Sequence, residues 1–354
     1  MKKQVIDFTG IDVYVGLDVH KKNWSVSIIV DDLVTKTFTQ DPCTKGLMQT
    51  LEGLYPNATF HLVYEAGFSG FKVQRELTQA GHDCIVVHPP DVPSTDRDRK
   101  RKNDRLDSRK LAKLLSSGVL SGIHILTPQQ EASRSLIRLR QTFRKDLTRV
   151  QNRIKSFLNF LGIEIPAEFS SRWTKAFVSW LHELVFEDAR NRLCLDMILT
   201  SYLFAKKQLA MVDKKIKEMA QSPEFADRVK SLTSTPGIGL TSAMVLLTEI
   251  ADIRRFCSRD HFCSFAGIVP NFHNSGDRTA DGSITMRRNA SVRKIIIECA
   301  WVAIRHDPAL TLAYKSYKKR MAGPKAIVKI ARKLLARIRH LLLHNETYQI
   351  GVVS

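Results

Sequence analysis

The sequence predicts a mixed α/β domain followed by a mainly helical region. In the first part of the chain, short runs of β-branched and aromatic residues alternate with helical patterns. Further on, two long stretches carry apolar residues every three or four positions, which is typical of amphipathic helices. A Pro-Gly-Ile-Gly turn at 236–239 then introduces another helical part. We therefore expect three domains, at residues 1–126, 127–232 and 233–354.

The first domain is predicted to have the element order β-β-β-α-β-α-β-α. Turn residues separate the first three strands, and helical patterns precede and follow the fourth. The expected strands are 13–20, 24–30, 34–38, 59–64 and 84–87, and the expected helices are 45–54, 71–80 and one that contains Asp104. This order favours a mixed sheet with helices on its faces.

Four acidic residues occupy the ends of these elements. Asp18 lies late in the first strand, Glu65 ends the fourth, and Asp104 and Asp107 lie three residues apart on the last helix. That spacing places both aspartates on one helical face. Taken singly, strand-end acids often cap loops, and acids on a helix often make surface ion pairs. The four together, with this element order, resemble the RNase H-like fold of a RuvC-like nuclease.

The chemistry of phosphodiester cleavage explains why carboxylates would be needed at these places. Magnesium ions can stabilise the charge that develops on phosphorus and can activate a hydroxyl. Mg²⁺ prefers hard oxygen ligands, so neither histidine nor cysteine is required. Carboxylates that converge on one site repel one another unless a cation lies between them. We therefore expect Asp18, Glu65, Asp104 and Asp107 to bind one or two Mg²⁺ ions and to be catalytic.

Composition points to a polyanionic partner. The chain has a net charge of +20 and a pI near 9.8, which favours nucleic acid first and an anionic membrane surface second. No apolar run is long enough to span a membrane, and the N-terminus lacks the layout of a signal peptide. The cysteines are scattered without a Cys-x-x-Cys pair, so we expect reduced thiols rather than a zinc site. We expect no membrane partner and a location in the cytoplasm, associated with the nucleoid.

A basic loop leads into the helix that begins near Asp104. Such a loop beside a metal site would contact a phosphate backbone, and the alternative is a solvated loop of mixed charge. The residues expected to contact nucleic acid here are Arg97, Arg99, Lys100, Arg101 and Lys102.

The middle of the chain contains the two long amphipathic stretches, 129–161 and 190–219. Their spacing predicts an antiparallel helical hairpin or coiled coil, which could pair with another subunit. The alternative is a plain bundle formed within one chain.

The last part begins at Pro236-Gly237-Ile238-Gly239, ahead of a helix expected over 241–250. The turn is similar to that of a helix-hairpin-helix, in which the amides of Gly237 and Gly239 would bind a phosphate. The alternative is an ordinary turn between helices.

A polar loop is expected from 271 to 289. By spacing alone, its Ser275-Gly276 pair is a turn. Arg278, Arg287 and Arg288 lie in the same stretch and are expected to contact nucleic acid.

These motifs together resemble the DEDD transposases of the IS-one-ten insertion-sequence family, whose relatives include the bridge-RNA-guided recombinases. The resemblance rests on the four acids, the Pro-Gly-Ile-Gly turn and four later motifs. The later motifs are Glu-Ile-Ala-Asp-Ile-Arg-Arg-Phe at 249–256, Gly-Ile-Val-Pro at 267–270, Ser-Gly at 275–276 and Gly-Ser-Ile at 282–284.

The resemblance implies a composite reaction. The acids would bind Mg²⁺ in a RuvC-like domain, and Ser275 would be the nucleophile of a separate transposase domain, forming a covalent phosphoserine with DNA. Implied partners are donor and target double-stranded DNA, a structured guide RNA and further copies of the chain in a dimer or tetramer. The host would be a bacterium or an archaeon.

Two other functions compete with this one. The first is a RuvC-like, Mg²⁺-dependent endonuclease that hydrolyses branched DNA with water and forms no serine intermediate. The second is a catalytically inert protein that binds RNA or DNA and whose acids are structural.

Overall fold

The protein is described here from a computed structural model, which describes residues 7–93, 104–169, 173–275 and 278–351. The chain divides into two compact units, residues 1–126 and 127–354. Each unit has its own buried core.

The first unit contains a five-stranded sheet and three α-helices within the described residues. The strands are β1 (Asp12–Val19), β2 (Trp24–Val30), β3 (Leu33–Gln40), β4 (Thr59–Glu65) and β5 (Asp83–Val87). The helices are α1 (Thr44–Leu54), α2 (Lys72–Gln79) and α3 (Asp104–Ser116). The predicted element order is confirmed.

The sheet is mixed, as the RNase H-like prediction requires. Its strand order is β3-β2-β1-β4-β5. β1 to β3 form an antiparallel meander, whereas β1 with β4, and β4 with β5, are parallel. The helices that connect the parallel strands cover the sheet, because each parallel connection must cross a face.

The two faces of the sheet are distinguished by alternate residues of β1. Val13, Val15 and Leu17 are fully buried in one core with residues of α1 and α2. Residues of the opposite parity face α3, because successive strand side chains point to opposite faces. On that side Leu111 of α3 packs with Val63 of β4 in a separate cluster. The first unit is therefore a sheet between two helical layers.

The second unit is mainly helical, as predicted for the second part of the chain. Its helices are α4 (Pro128–Phe160), α5 (Lys175–Glu183), α6 (Ala189–Ala220), α7 (Ala226–Thr233), α8 (Leu240–Ile250), α9 (Arg259–Ala266), α10 (Ala290–His306), α11 (Pro308–Lys318) and α12 (Gly323–His344). In the described part of the chain, none of the helices has both the length and the apolar character to cross a membrane.

The long helices α4 and α6 run antiparallel. Ile137 near the start of α4 lies in one core with Val212 and Ile216 near the end of α6. Further along α4, Ile154 lies in another core with Leu195 at the start of α6. The two helices therefore pack as a hairpin within one chain. Pairing with another subunit stays a prediction.

The expected polar loop over 271–289 is partly wrong, because the structure forms a two-stranded sheet there. β6 (Pro270–Ser275) pairs antiparallel with β7 (Arg278–Ile284). Strand preference depends on context, so weakly β-forming polar residues pair when the chain reverses over two residues. The Gly-Asp pair at 276–277 is a sequence signal for such a reversal.

Candidate functional site

Asp18 and Glu65 come together because of the register of two parallel strands. β1 and β4 pair Leu17 with Tyr64, so the next residue on each strand is Asp18 and Glu65, respectively. Aligned residues of neighbouring parallel strands point to the same face. The two acids therefore stand side by side at the carboxyl edge of the sheet, where Asp18 is partly buried and Glu65 is exposed.

Asp18 has a neighbour that sequence analysis missed. The Nε2 atom of His20 lies 3.2 Å from Oδ2 of Asp18. The side chain of Asp18 is 21% exposed and that of His20 is 47% exposed, so solvent reaches both. The i,i+2 spacing at the end of a strand was the available signal, because β1 ends at Val19 and the chain turns there. His20 orients one oxygen of the carboxylate.

Helix α3 approaches β1 closely at Gly16. A Cβ atom on Gly16 would lie 2.0 Å from the carbonyl oxygen of Ser108 and 2.5 Å from the amide nitrogen of Ala112. The hydroxyl of Ser108, which is fully buried, shares a hydrogen bond of 2.9 Å with the hydroxyl of Ser27 on β2. Only glycine permits this approach, since any side chain would overlap the helix backbone.

The close approach positions the acids of α3 relative to the sheet. Gly16 and Asp18 are two residues apart on β1, so Asp18 faces the layer that contains α3. Asp107 directly precedes Ser108, and Asp104 is the first residue of the helix. Asp107 is partly buried, and the side chain of Asp104 lies outside the described ones. The structure thus aligns Asp18 with Glu65 and sets the helix with both aspartates on the same face of the sheet.

The donor atoms here suit a hard divalent cation. Carboxylate oxygens are the ligands that Mg²⁺ prefers, and two carboxylates aligned on adjacent strands repel each other without a cation. Among the side chains that the structure describes, no group of three or more His, Cys, Asp or Glu residues lies close enough together to hold a metal ion. Because the side chain of Asp104 is not among them, the four-acid site stays a proposal.

Ser275 lies at the end of the small hairpin in the second unit. It is the last residue of β6 and pairs with Arg278, the first residue of β7. Two residues connect the strands, so Ser275 stands beside the reversal of the chain rather than within an irregular loop.

Hydrogen bonds hold the base of this hairpin, which is the end opposite Ser275. The Nη2 atom of Arg293 on α10 donates hydrogen bonds to the carbonyl oxygens of Gly267 and Thr285. The amide of Thr285 donates to the carbonyl of Val269 at 3.2 Å. The sequence contains no signal for this role of Arg293, because its partners are backbone carbonyl groups. Arg293 links the residues before β6 to those after β7.

A buried carboxylate lies beneath the same base. Glu249 of α8 is fully buried, and Arg138 donates hydrogen bonds of 2.8 and 2.9 Å to its two oxygens. Asn289, the residue before α10, donates to Oε2 of Glu249 at 2.9 Å and also accepts a bond from the amide of Val292. Burial alone would raise the pKa of Glu249, but the bonds from Arg138 and Asn289 and the charges of Arg138 and Arg134 outweigh burial and lower it.

This cluster explains the first residue of the 249–256 motif. The side chain of Glu249 joins α4, α8 and the start of α10, and Arg134 adds bonds to the carbonyl oxygens of Thr248 and Glu249, both at 3.1 Å. The motif gave a family signal in the sequence but no role for the glutamate. The available sequence signal was an acid in a largely apolar helical stretch. An acid in such a stretch is expected to be buried and to have a specific partner.

Another residue of the motif, Arg255, lies against two aromatic rings. Its guanidinium carbon is 4.4 Å from the centre of the Phe256 ring and 4.6 Å from that of Phe265. Burial, followed by the nearby charge of Arg134, lowers the pKa of Arg255 to about 10. Arg255 therefore keeps its charge at neutral pH, and the rings offset part of the cost of burying it.

The two glycines of the Pro-Gly-Ile-Gly turn differ in their surroundings. Gly237 has a φ of +89°, and a Cβ atom there would lie 2.5 Å from the carbonyl oxygen of Cys299 on α10. Its role in the fold is the close approach of this turn to α10. Gly239 precedes α8, and a Cβ atom there would have open space around it. Phosphate binding by these amides stays a prediction.

Of the other residues expected to contact nucleic acid, the structure describes the side chains of only two. Arg97, Arg99, Lys100, Arg101 and Lys102 lie outside the described residues, as does the side chain of Arg278. Arg287 and Arg288 are exposed, and the carbonyl oxygen of Arg287 and the Cβ atom of Arg288 lie close to Gly267, whose φ is +69°. Both arginines therefore lie at the base of the hairpin that carries Ser275.

Comparison with known families agrees with the motifs. Residues 15–163 match a DEDD transposase family of the IS110 type. Residues 229–315 match a second family described as "Transposase IS116/IS110/IS902 family". The first match contains Asp18, Glu65, Asp104 and Asp107, and the second contains Glu249 and Ser275.

Individual relatives agree as well. A putative transposase, y4qE, from Sinorhizobium fredii is 30% identical over 250 residues, which is 71% of this chain and 60% of that protein. The transposase for insertion sequence element IS1533 from Leptospira borgpetersenii is 27% identical over 338 residues, 92% of this chain and 94% of that protein. The transposase for IS1111A from Coxiella burnetii is 26% identical over 72% of this chain and 70% of that protein. With both family matches in the expected order, the chain belongs to the IS110 family of insertion-sequence transposases.

Proposed function

We propose that this protein is a DNA recombinase that mobilises its own insertion sequence by cutting and rejoining DNA strands. The observation that best supports this proposal is the alignment of Asp18 with Glu65 at the edge of the sheet, on the face covered by α3. Two like charges on neighbouring strands repel each other unless a cation lies between them. This arrangement therefore favours a pair of acids that binds a metal over a purely structural pair.

In this proposal Asp18, Glu65, Asp104 and Asp107 hold one or two Mg²⁺ ions. When bound, Mg²⁺ supplies charge stabilisation at the phosphate and lowers the pKa of an attacking hydroxyl. The carboxylates bind and orient, and His20 holds one oxygen of Asp18 in place through the 3.2 Å contact. The family match over 15–163 supports the role of the four acids.

Ser275 is the proposed nucleophile. Its Oγ atom forms a bond to the DNA phosphorus and loses its proton to a base. The bond from phosphorus to one sugar oxygen breaks, and that oxygen takes up a proton and leaves as a free hydroxyl. Attack by the hydroxyl of another strand reverses these steps, releases the serine and joins the new strand. The number of phosphodiester bonds is conserved, so no energy source is required.

The proposed partners follow from charge and family. The net charge of +20 suits donor and target duplexes together with a structured guide RNA. Arg287 and Arg288, exposed at the base of the serine hairpin, are proposed to contact phosphate. We also propose that the chain acts as a dimer or tetramer in the cytoplasm of its host, at the nucleoid.

The test is denaturing electrophoresis of labelled insertion-sequence ends incubated with the purified protein, its co-purified RNA and Mg²⁺. We expect a protein–DNA adduct that disappears in Ser275→Ala and persists in Ser264→Ala, an exposed serine on α9. We expect Asp18→Asn to abolish strand cleavage and Asp31→Asn, an exposed turn acid of the same unit, to leave it unchanged.

Each alternative predicts a different result. Cleavage that survives Ser275→Ala would show an endonuclease that uses water. Unchanged strand chemistry in both Asp18→Asn and Glu65→Gln would contradict the metal site. Cleavage at the same sites after the RNA is digested would contradict RNA guidance.

A further inference from the structure

A basic groove in the second unit is lined by none of the residues that the proposed function uses. Its volume is about 780 Å³, in the range of ligand-binding pockets. Five cationic side chains and a single carboxylate line it, namely Arg259, Lys329, Arg332, Lys333, Arg337 and Glu346.

One wall of the groove is a face of α12. The lining residues of this helix are spaced by three and four positions, at 329, 332, 333, 336, 337, 340 and 341. The opposite face of the helix is apolar and fully buried, with Ile330, Leu334 and Ile338 in the core. The helix is therefore held by its apolar face and presents cations on the other.

The other wall is the segment after α12, and buried contacts hold it. The amide of Tyr348 donates to the hydroxyl of Ser234 at 2.8 Å, and the hydroxyl of Ser231 donates to the carbonyl of Glu346 at 2.5 Å. The hydroxyl of Tyr348 also bonds to Asp307, which is fully buried and pairs with Arg337 at 2.7 Å. The groove is thus built from anchored elements.

Carboxylates neutralise only part of its charge. Asp260 pairs with Arg332 at 2.8 Å and with Arg259 at 3.3 Å. Within the described part of the chain, Lys329 and Lys333 have no ion pair at all, and both are exposed. The sequence from 308 to 345 contains ten lysines and arginines and no aspartate or glutamate. A cleft lined by one sign of charge concentrates the field and attracts an ion of the opposite sign.

The length of the cationic face favours a polymer over a single anion. Arg337 lies eight positions after Lys329, or about 12 Å further along the helix at 1.5 Å per residue. Phosphates of one nucleic-acid strand are spaced at about 3.4 Å along the axis, so roughly three or four would lie beside this face. Lysine and arginine contact phosphate without reading sequence.

We propose that this groove binds the phosphodiester backbone of a nucleic acid, independently of its sequence, and that Lys329 and Lys333 are its main contacts. The proposal goes beyond the proposed recombination, since it names a binding site that strand chemistry at Ser275 does not require.

The test uses the full-length protein freed of RNA, with fluorescence anisotropy of labelled DNA and RNA of the same sequence, single-stranded and duplex, at several salt concentrations. The variant is Lys329→Gln with Lys333→Gln. We expect roughly tenfold weaker binding at about 0.1 M salt and a slope of log K against log salt that is smaller by about 1.4 to 1.8, the value for two lost phosphate contacts.

The matched control is Lys207→Gln with Lys214→Gln, which removes the same charge from exposed positions of α6. We expect this control to change the slope little, and we expect Lys329→Arg with Lys333→Arg to bind like the wild type.

If the groove variant loses affinity for RNA alone, RNA is the ligand, and if it loses affinity for DNA alone, DNA is the ligand. Equal behaviour of the groove variant and the control, with unchanged circular dichroism, would overturn the proposal. Anisotropy measures binding without strand cleavage, so failure of the recombination proposal is distinguishable from failure of this one.

Discussion

Single residues in this protein are placed by partners distant in sequence. Asp18 is aligned with Glu65, which is 47 positions further along the chain. Glu249 is held by Arg138, which lies more than one hundred residues before it, and by Asn289, which lies forty residues after it. The charge of Glu249 is offset by Arg138, and that of Asp18 and Glu65 would be offset by the proposed metal ion.

Glu249→Gln tests whether the buried carboxylate stabilises the second unit. We expect a loss of about 2 kcal/mol in the free energy of unfolding, because the buried charge pair is broken but Arg138 is half-exposed and can be solvated. Urea unfolding followed by tryptophan fluorescence measures it. Glu218→Gln, on an exposed pair with Lys215, should leave the midpoint unchanged. Equal midpoints for Glu249→Gln and the wild type would contradict this role.

The same residue predicts a pH dependence of stability. The pKa of Glu249 is lower in the folded protein than its ordinary value of 4.5, so its contribution is present above pH 4.5 and is lost as pH falls towards the folded pKa. The variant lacks this contribution, so the stability difference between wild type and Glu249→Gln should shrink below pH 4.5.

At the scale of elements, close backbone contact decides how helices meet their neighbours. Gly16 brings α3 onto β1, Gly237 brings its turn onto α10, and Gly267 accommodates Arg287 and Arg288. The hairpin β6–β7 is held at its base by Arg293. The proposed acids and the proposed serine therefore lie on elements whose positions are determined by packing.

Gly16→Ala tests the contact between α3 and the sheet. The added Cβ would overlap the backbone of α3, so we expect the first unit to lose about 3 kcal/mol or more of stability. Trp24, which is buried in β2, reports its unfolding. Gly53→Ala is the matched control in α1, where the Cβ has open space, and should gain about 0.5 to 1 kcal/mol. An unchanged midpoint for Gly16→Ala would contradict the contact.

At the scale of the molecule, the chain is built from two units with separate cores. Among the described residues, no buried core cluster contains residues from both sides of position 126. The family matches divide in a similar way, although the first extends to residue 163 and so includes α4. The basic groove adds a strongly charged face to the second unit.

Separate cores predict separate responses to mutation. We expect Gly16→Ala to lower amide protection in residues 1–126 and to leave residues 127–354 unchanged, and Glu249→Gln to do the reverse. Hydrogen exchange read by mass spectrometry measures both in one experiment. Loss of protection throughout the chain in either variant would show that the units unfold together.

The element order of the first unit, the two long helices and the family follow from the amino-acid sequence alone, because hydrophobic periodicity and short motifs are local properties. It also placed Asp18 and Glu65 at strand ends. That these two acids are neighbours follows from the fold and not from the sequence, since strand register depends on pairing across the sheet. Likewise, only the fold shows why Gly16 and Glu249 occupy their positions, because their partners lie on other elements. The sequence predicts a loop where the hairpin at Ser275 forms, since these polar residues form strands only through pairing with each other.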